Sequence, residues 1–181
     1  VPNKYDVLLS LKHSPIYNYI IPGVTSWLIG EPSKKGLVRL FECSRNHQET
    51  VVPHNHKFDF QCLVLGGRVQ HRVFEEYAVT GDDRDFYHIC KLGGVLGEYQ
   101  IEPVRTGYFG YIDSVYKEGD WYYLDSQEFH SITFSKNTKV LFFEGPNISE
   151  NSCILQPHVD GIVPTFQVRP WMFRRPGDYQ E

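Results

Sequence analysis

From Gly36 to Glu144 the chain is cut into short runs rich in Val, Leu, Phe and Tyr, each closed by a turn signal. The runs are Leu37 to Glu42, Phe60 to Leu65, Val69 to Phe74, Asp85 to Leu92, Val95 to Ile101, Tyr108 to Tyr116, Trp121 to Leu124, Ser131 to Phe134 and Lys139 to Glu144. Between them stand Gly66-Gly67, Gly81-Asp82-Asp83, Gly93-Gly94, Thr106-Gly107, Glu118-Gly119-Asp120 and Ser135-Lys136-Asn137. No intervening stretch reads as an amphipathic helix longer than one turn. About eight or nine short strands at this spacing have to bury their apolar faces in a sandwich or a closed barrel. The aromatic share of 15% suits pleated, half-buried surfaces and points the same way.

The two ends read differently. Val7, Leu8 and Leu11 recur at helical spacing behind a possible cap at Asn3, which predicts a short N-terminal helical segment. Pro15, Pro22-Gly23 and Pro32 then discourage a long helix. From about Asn147, Pro157, Pro164, Pro170 and Pro176 predict an irregular C-terminal arm. Trp171, Met172 and Phe173 in that arm are too apolar for a solvated tail, so the expectation is packing on the barrel or on a second subunit, as in a homodimer. The length of 181 residues suits one domain, 1–181, with its barrel core at about 36–145.

Several classes of partner are disfavoured. A formal charge of -4 provides no basic stripe for a phosphate backbone, so no nucleic acid is expected. No run approaches the roughly 18 apolar residues of a membrane span. The 4 cysteines form no CxxC pair, which suits free thiols in a reducing, cytoplasmic setting.

Two segments carry the chemistry. In Pro53-His54-Asn55-His56, residues i and i+2 of a strand face one side, so His54 and His56 can offer two imidazoles to one ion. The alternative is two solvent-exposed histidines. Further on, Gly119 leads into Asp120 to Leu124, the tetrad Asp125-Ser126-Gln127-Glu128, and then Phe129-His130. These segments resemble the two sequence motifs of the cupin superfamily. Gly67 stands eleven residues after His56, and His130 eleven after Gly119, as in the family's patterns. The chain departs from them at Gln48, where the family has glycine, and at Asp125 and Gln127, where it has Pro and Gly. The resemblance runs from Gly36 to Gly145. It implies an all-β fold, a cupin double-stranded β-helix (jelly-roll barrel), in which His54, His56 and His130 hold one divalent metal.

The family often adds a glutamate ligand four or five residues after the second histidine. Phe60 and Gln61 occupy those places here. An unbulged strand continues His54, His56, Phe58, Phe60 on one face, which predicts Phe60 inward and Gln61 outside the metal's shell; an inward Gln61 needs a bulge. Asp59 is the nearby carboxylate, as a ligand or as a turn cap. His71, on a face with Val69 and Val73, is a candidate catalytic base behind the metal or a core histidine. Arg39 is a candidate for binding a substrate carboxylate, or a surface arginine. His13, His47, His88 and His158 lie outside both motifs and are expected to be exposed. Three neutral ligands would leave the metal's charge intact, which favours an anionic substrate. The resulting expectation is a mononuclear non-haem Fe(II) dioxygenase acting on a small polar or anionic metabolite with O2. The alternatives are a redox-neutral lyase or isomerase using Zn, Ni or Mn, and a non-catalytic cupin that binds a small molecule.

Overall fold

The computed structural model describes residues 4–19, 21–46, 52–78, 85–95 and 98–160. Its elements are α1 (Lys4–Ser10), β1 (Lys12–Ile16), β2 (Val24–Ile29), β3 (Leu37–Cys43), β4 (Phe60–Gly66), β5 (Arg68–Tyr77), β6 (Phe86–Val95), β7 (Glu98–Lys117), β8 (Trp121–Leu124), β9 (Phe129–Phe134), β10 (Lys139–Glu144) and β11 (Ser152–Pro157). The strands form two antiparallel sheets, ordered β1-β2-β3-β10-β4-β8 and β11-β6-β7-β5-β9. In the first sheet β10 returns to lie between β3 and β4, while its neighbour in sequence, β9, pairs with β5 in the second. This exchange of strands between two facing sheets is a jelly roll, so the fold is the all-β double-stranded β-helix.

Alternation explains which residues meet inside. Phe41 and Cys43 of β3, Phe60, Cys62 and Val64 of β4, Tyr122 and Leu124 of β8, and Val140 and Phe142 of β10 all point inward, where Val69 and Phe134 meet them from the second sheet. The intervening residues Leu40, Leu63 and Leu141 are buried too, in a second cluster on the outer face. Trp27 and Ile29 of β2 and Leu9 of α1 cover them. A strand covered on both faces loses its alternation, which is why Lys139–Glu144 reads as a continuous apolar run. Each fully buried leucine contributes about 1.5–3 kcal/mol. Of the apolar residues at the N-terminal end, Leu9 packs against the cluster, whereas Val7 and Leu11 are exposed.

The second sheet closes on itself. Ile154 of β11 bridges His54, and His54 bridges His130 of β9. All five strands then contribute to a third cluster: Phe74, Tyr87 and Ile89, Phe109, Phe129, and Cys153 with Leu155. The arm expected to be irregular thus contains β11, paired with β6 from Ser152↔Leu92 to Pro157↔Tyr87. Pro157 stands at the end of that strand, where a missing N–H is tolerated. Trp171, Met172 and Phe173 lie outside the described residues, as does the turn expected at Gly81-Asp82-Asp83.

Other turn signals are resolved by pairing. Gly93-Gly94 and Thr106-Gly107 are not turns: Gly93 pairs with Gln100, and Gly107 with Tyr87, inside the β6–β7 hairpin. β7 runs for 20 residues through Pro103, beside which the pairing slips by one residue. The segment before Gly36, read only as proline-punctuated, supplies β1 and β2. Pro15 is accommodated because β1 is an edge strand. The four cysteines are free. Among the described residues no helix is long and apolar enough to cross a membrane.

Both motif glycines are conformationally required. Gly67 has φ +74° and Gly119 φ +90°, the left-handed region. At Gly67 an added Cβ would sit 2.5 Å from the Thr138 Cα. Gly67→Ala should therefore destabilise the fold by more than the roughly 1–2 kcal/mol of a left-handed alanine. Gly66→Ala, with nothing within 4 Å of its Cβ, is the control. Urea midpoints of the two variants against wild type measure the difference.

Candidate metal centre

The backbone brings the histidines together. His54 and His130 exchange both backbone hydrogen bonds, each 2.9 Å, so they are a directly opposed antiparallel pair with side chains on one face. Asn55 N–H donates to the Cys153 carbonyl, and Leu155 N–H to the Pro53 carbonyl, so the ligand segment is held from its other edge by β11. His56, two residues on, joins the same face. Ring centroids lie 4.7 Å apart for His54 and His130 and 5.1 Å apart for His56 and His130.

One ligating atom from each of His54, His56 and His130 lies within 4.8 Å of the others, so the three imidazoles can hold a divalent metal ion. His56 Nε2 and His130 Nε2 are 2.9 Å apart. Two nitrogens bound at about 2.0–2.1 Å and roughly 90° apart have about that separation. His54 Nδ1–H donates to the Val52 carbonyl at 2.8 Å, which leaves its Nε2 lone pair free. Burial, the largest cause, lowers the proton affinity of all three rings, well below the ordinary value for His56 and His130. Neighbouring imidazoles push His56 and His130 further the same way. Neutral imidazole is the form that binds metal, so the donor set fits a divalent ion.

His71 stands behind His130. It is buried, and its Nε2 is 2.7 Å from His130 Nδ1. With His130 Nε2 turned to a metal, its Nδ1–H donates to His71 Nε2. Burial lowers His71 to about 4, with His54 adding to the shift. His71 is not among the residues that line the cavity.

The cavity in front of the histidines has a volume of about 100 Å³ and is mostly aromatic, with Phe41, Phe58, Phe60 and Phe142 among its walls. Phe60 is buried with its ring 4.9 Å from that of His56, whereas Gln61 is exposed opposite Tyr123. Phe60 is inward as expected, but not along one continuous strand: the chain bends at Lys57 and Phe58, and β4 begins at Phe60. Asp59 is a turn cap: its Oδ1 accepts from Ser126 N–H at 2.8 Å. In that turn, where Asp125 and Gln127 stand in place of the family's Pro and Gly, two carboxylates hold the backbone. Asp125 Oδ1 accepts from Gln127 N–H, and Glu128 Oε2 from Asp125 N–H, both at 2.9 Å. Cys62 and Tyr122 face each other across β4 and β8 and line the cavity, and burial pushes the Cys62 thiol up to about 12.

Arg39 is not a surface residue. It shares a face with Phe41, and its guanidinium lies over the Tyr19 ring at 5.7 Å. Its Nη1 donates to Ser26 Oγ at 3.3 Å, and its Nε is 3.9 Å from Glu144 Oε2. Glu144 and Tyr19 line the cavity and were not singled out from the sequence. For Glu144 the available signal was its place two residues beyond Phe142 on an inward register. The remaining histidines are less exposed than expected. His13 Nε2 is 2.9 Å from the Gly30 carbonyl, and His158 contacts both His88 at 2.7 Å and Asp160 at 3.0 Å. His47 lies outside the described residues.

No family profile matches the sequence, and no curated protein matches it. Solved structures resemble it in strand arrangement. One is a cupin superfamily protein from Desulfitobacterium hafniense, 15% identical over 68% of this chain and 78% of that one, with a TM-score of 0.40. A second is an oxalate decarboxylase variant from Bacillus subtilis, 14% identical over 78% and 29%, with a TM-score of 0.47. A third is HEPD from Streptomyces albus with 2-hydroxyethylphosphonate and Fe(II) bound, 11% identical over 70% and 22%, with a TM-score of 0.41. The chain spans less than a third of the last two. Each likeness concerns the arrangement of strands alone.

The buried imidazoles set a pH dependence for the metal-free chain. His71 titrates at about 4 when folded and near 6.5 when unfolded, so acid protonates the unfolded chain first. Its contribution is complete above pH 6.5 and is lost as pH falls toward 4, by on the order of 3 kcal/mol. His54, His56 and His130 act in the same direction. Denaturant midpoints of metal-free protein should fall across that window, and His71→Asn should flatten the slope.

Proposed function

We propose that the chain is a metal-dependent enzyme, a mononuclear non-haem iron dioxygenase in which His54, His56 and His130 hold Fe(II). The observation that carries this reading is the convergence of three neutral nitrogens at the wall of a mostly aromatic cavity, with Phe60 where the cupin pattern has a carboxylate. A bound Fe(II) ion supplies redox chemistry with O2 and a net positive charge that attracts an anionic substrate. The chain's own contribution is orientation and the exclusion of water. Val52 and His71 fix the ring tautomers of His54 and His130. The phenyl rings of Phe58, Phe60 and Phe142 keep the cavity dry and leave room for a small substrate with an anionic head and an apolar body. A redox-neutral lyase or isomerase with Zn, Ni or Mn is the second reading, favoured by the carboxylate of Glu144 in the same cavity.

Protein purified without added metal should carry about one divalent ion per chain by mass spectrometry. His54→Ala or His130→Ala should abolish it, and Gln61→Ala, at an exposed site, should leave it unchanged. Full occupancy in either histidine variant would sink the assignment. Oxygen uptake by iron-restored protein in the presence of substrate, absent when zinc is restored, separates the dioxygenase from the redox-neutral reading. Removing the support behind His130 has its own signature: His71→Phe should weaken metal binding about 10–100-fold in a competition titration.

A further inference from the structure

Glu144 contributes the one carboxylate among the described residues that line the cavity. It is the last residue of β10 and the cross-strand partner of Phe60, so the first sheet sets it beside the phenyl ring that stands where the cupin pattern has a ligand. It is not among the converging atoms of the three histidines. Arg39 approaches from β3, with its Nε 3.9 Å from Glu144 Oε2, beyond hydrogen-bond distance. That Nε is buried and has no hydrogen-bond partner. The guanidinium is held instead through Ser26 and the Tyr19 ring. The carboxylate is thus oriented by a fixed cation and left with accepting capacity toward the cavity.

The other lining groups cannot take up a proton at neutral pH. The imidazoles of His54, His56 and His130 commit their free lone pairs to a metal. Tyrosine and cysteine side chains already carry their protons, and burial pushes Cys62 and Tyr122 further upward. His71 lies behind His130, off the cavity. By elimination, Glu144 is the group that can receive a proton. Burial raises its own proton affinity and Arg39 opposes the rise, a balance suited to an acceptor that must later give the proton up.

We propose that Glu144, positioned by Arg39, is the proton acceptor for a small hydroxyl-bearing substrate with an apolar planar body, of the phenol or enol class. The inference rests on the metal-centre reading and extends it to substrate class. In the step, the substrate O–H bond breaks and its electron pair stays on the oxygen as an anion. The proton forms a new O–H bond on the Glu144 carboxylate, and nothing is oxidised or reduced. The aromatic walls accept the planar body face or edge on.

The test uses the full chain loaded with zinc, which is redox-silent, and catechol as the probe. Calorimetric titration at pH 7 in two buffers of different ionisation enthalpy counts the protons released on binding. Wild type should release about zero, because Glu144 keeps the proton, and Glu144→Gln should release about one. Glu144→Asp, which retains a carboxylate, should bring the count back toward zero. Equal release from wild type and Glu144→Gln, with zinc near one per chain in both, overturns the role of Glu144 and leaves the metal centre standing. A failure of catechol to bind the zinc-loaded wild type overturns the substrate class. A wild-type chain that takes up no zinc overturns the metal reading and this inference together.

Discussion

The two backbone hydrogen bonds exchanged by His54 and His130 hold the rest of this structure in place. They attach a segment with almost no regular strand of its own to β9, and the bonds to Cys153 and Pro53 attach it to β11. The two ends of the second sheet are thereby bridged through His54, around Phe74, Phe109 and Leu155. The same pairing dictates that two imidazoles from residues 76 positions apart stand side by side. Closure of the sheet and assembly of the site are one event, so neither can be loosened without the other.

Burial then decides the chemistry of that site. Four imidazoles packed among Phe60, Tyr116 and Tyr122 have little water to stabilise positive charge, and each neighbour makes protonation of the next harder. The cluster is kept neutral by its surroundings, as metal ligands must be. With Phe60 in place of a carboxylate, the formal charge of a bound ion would remain uncompensated in the ligand shell. The one carboxylate among the described residues that line the cavity, Glu144, has the Arg39 guanidinium beside it.

Legibility of the sequence followed the covering of each strand. β8 and β10 appear at their observed bounds, because Trp121 to Leu124 and Lys139 to Glu144 are flanked by turn residues whose geometry is local. Gly67 and Gly119 were readable for the same reason, as turn residues, and the structure gives both left-handed backbone. The β6–β7 hairpin misled, since Gly93-Gly94 and Thr106-Gly107 signal turns locally yet are paired inside long strands. β1, β2 and β11 were missed because prolines lie within or beside them; those inside β1 and β11 are tolerated because both strands stand at the ends of their sheets. Arg39 and Glu144 were opaque in role, since a charged side chain on a strand facing inward looks the same in sequence as one facing out.

By itself the sequence determined the all-β class, the motif glycines, the candidate ligands His54, His56 and His130, and the inward placement of Phe60. The pairing of His54 with His56 and the inward side of Phe60 rest on i, i+2 spacing, whereas His130 and the motif glycines enter through the resemblance to the cupin motifs. Tertiary structure alone decided that β11 closes the second sheet, that His71 supports His130, and that Arg39 and Glu144 meet at the cavity wall. Those outcomes depend on pairing between residues far apart in the chain, such as Glu144 with Phe60, and register between distant strands is set by the burial of whole faces rather than by any local signal.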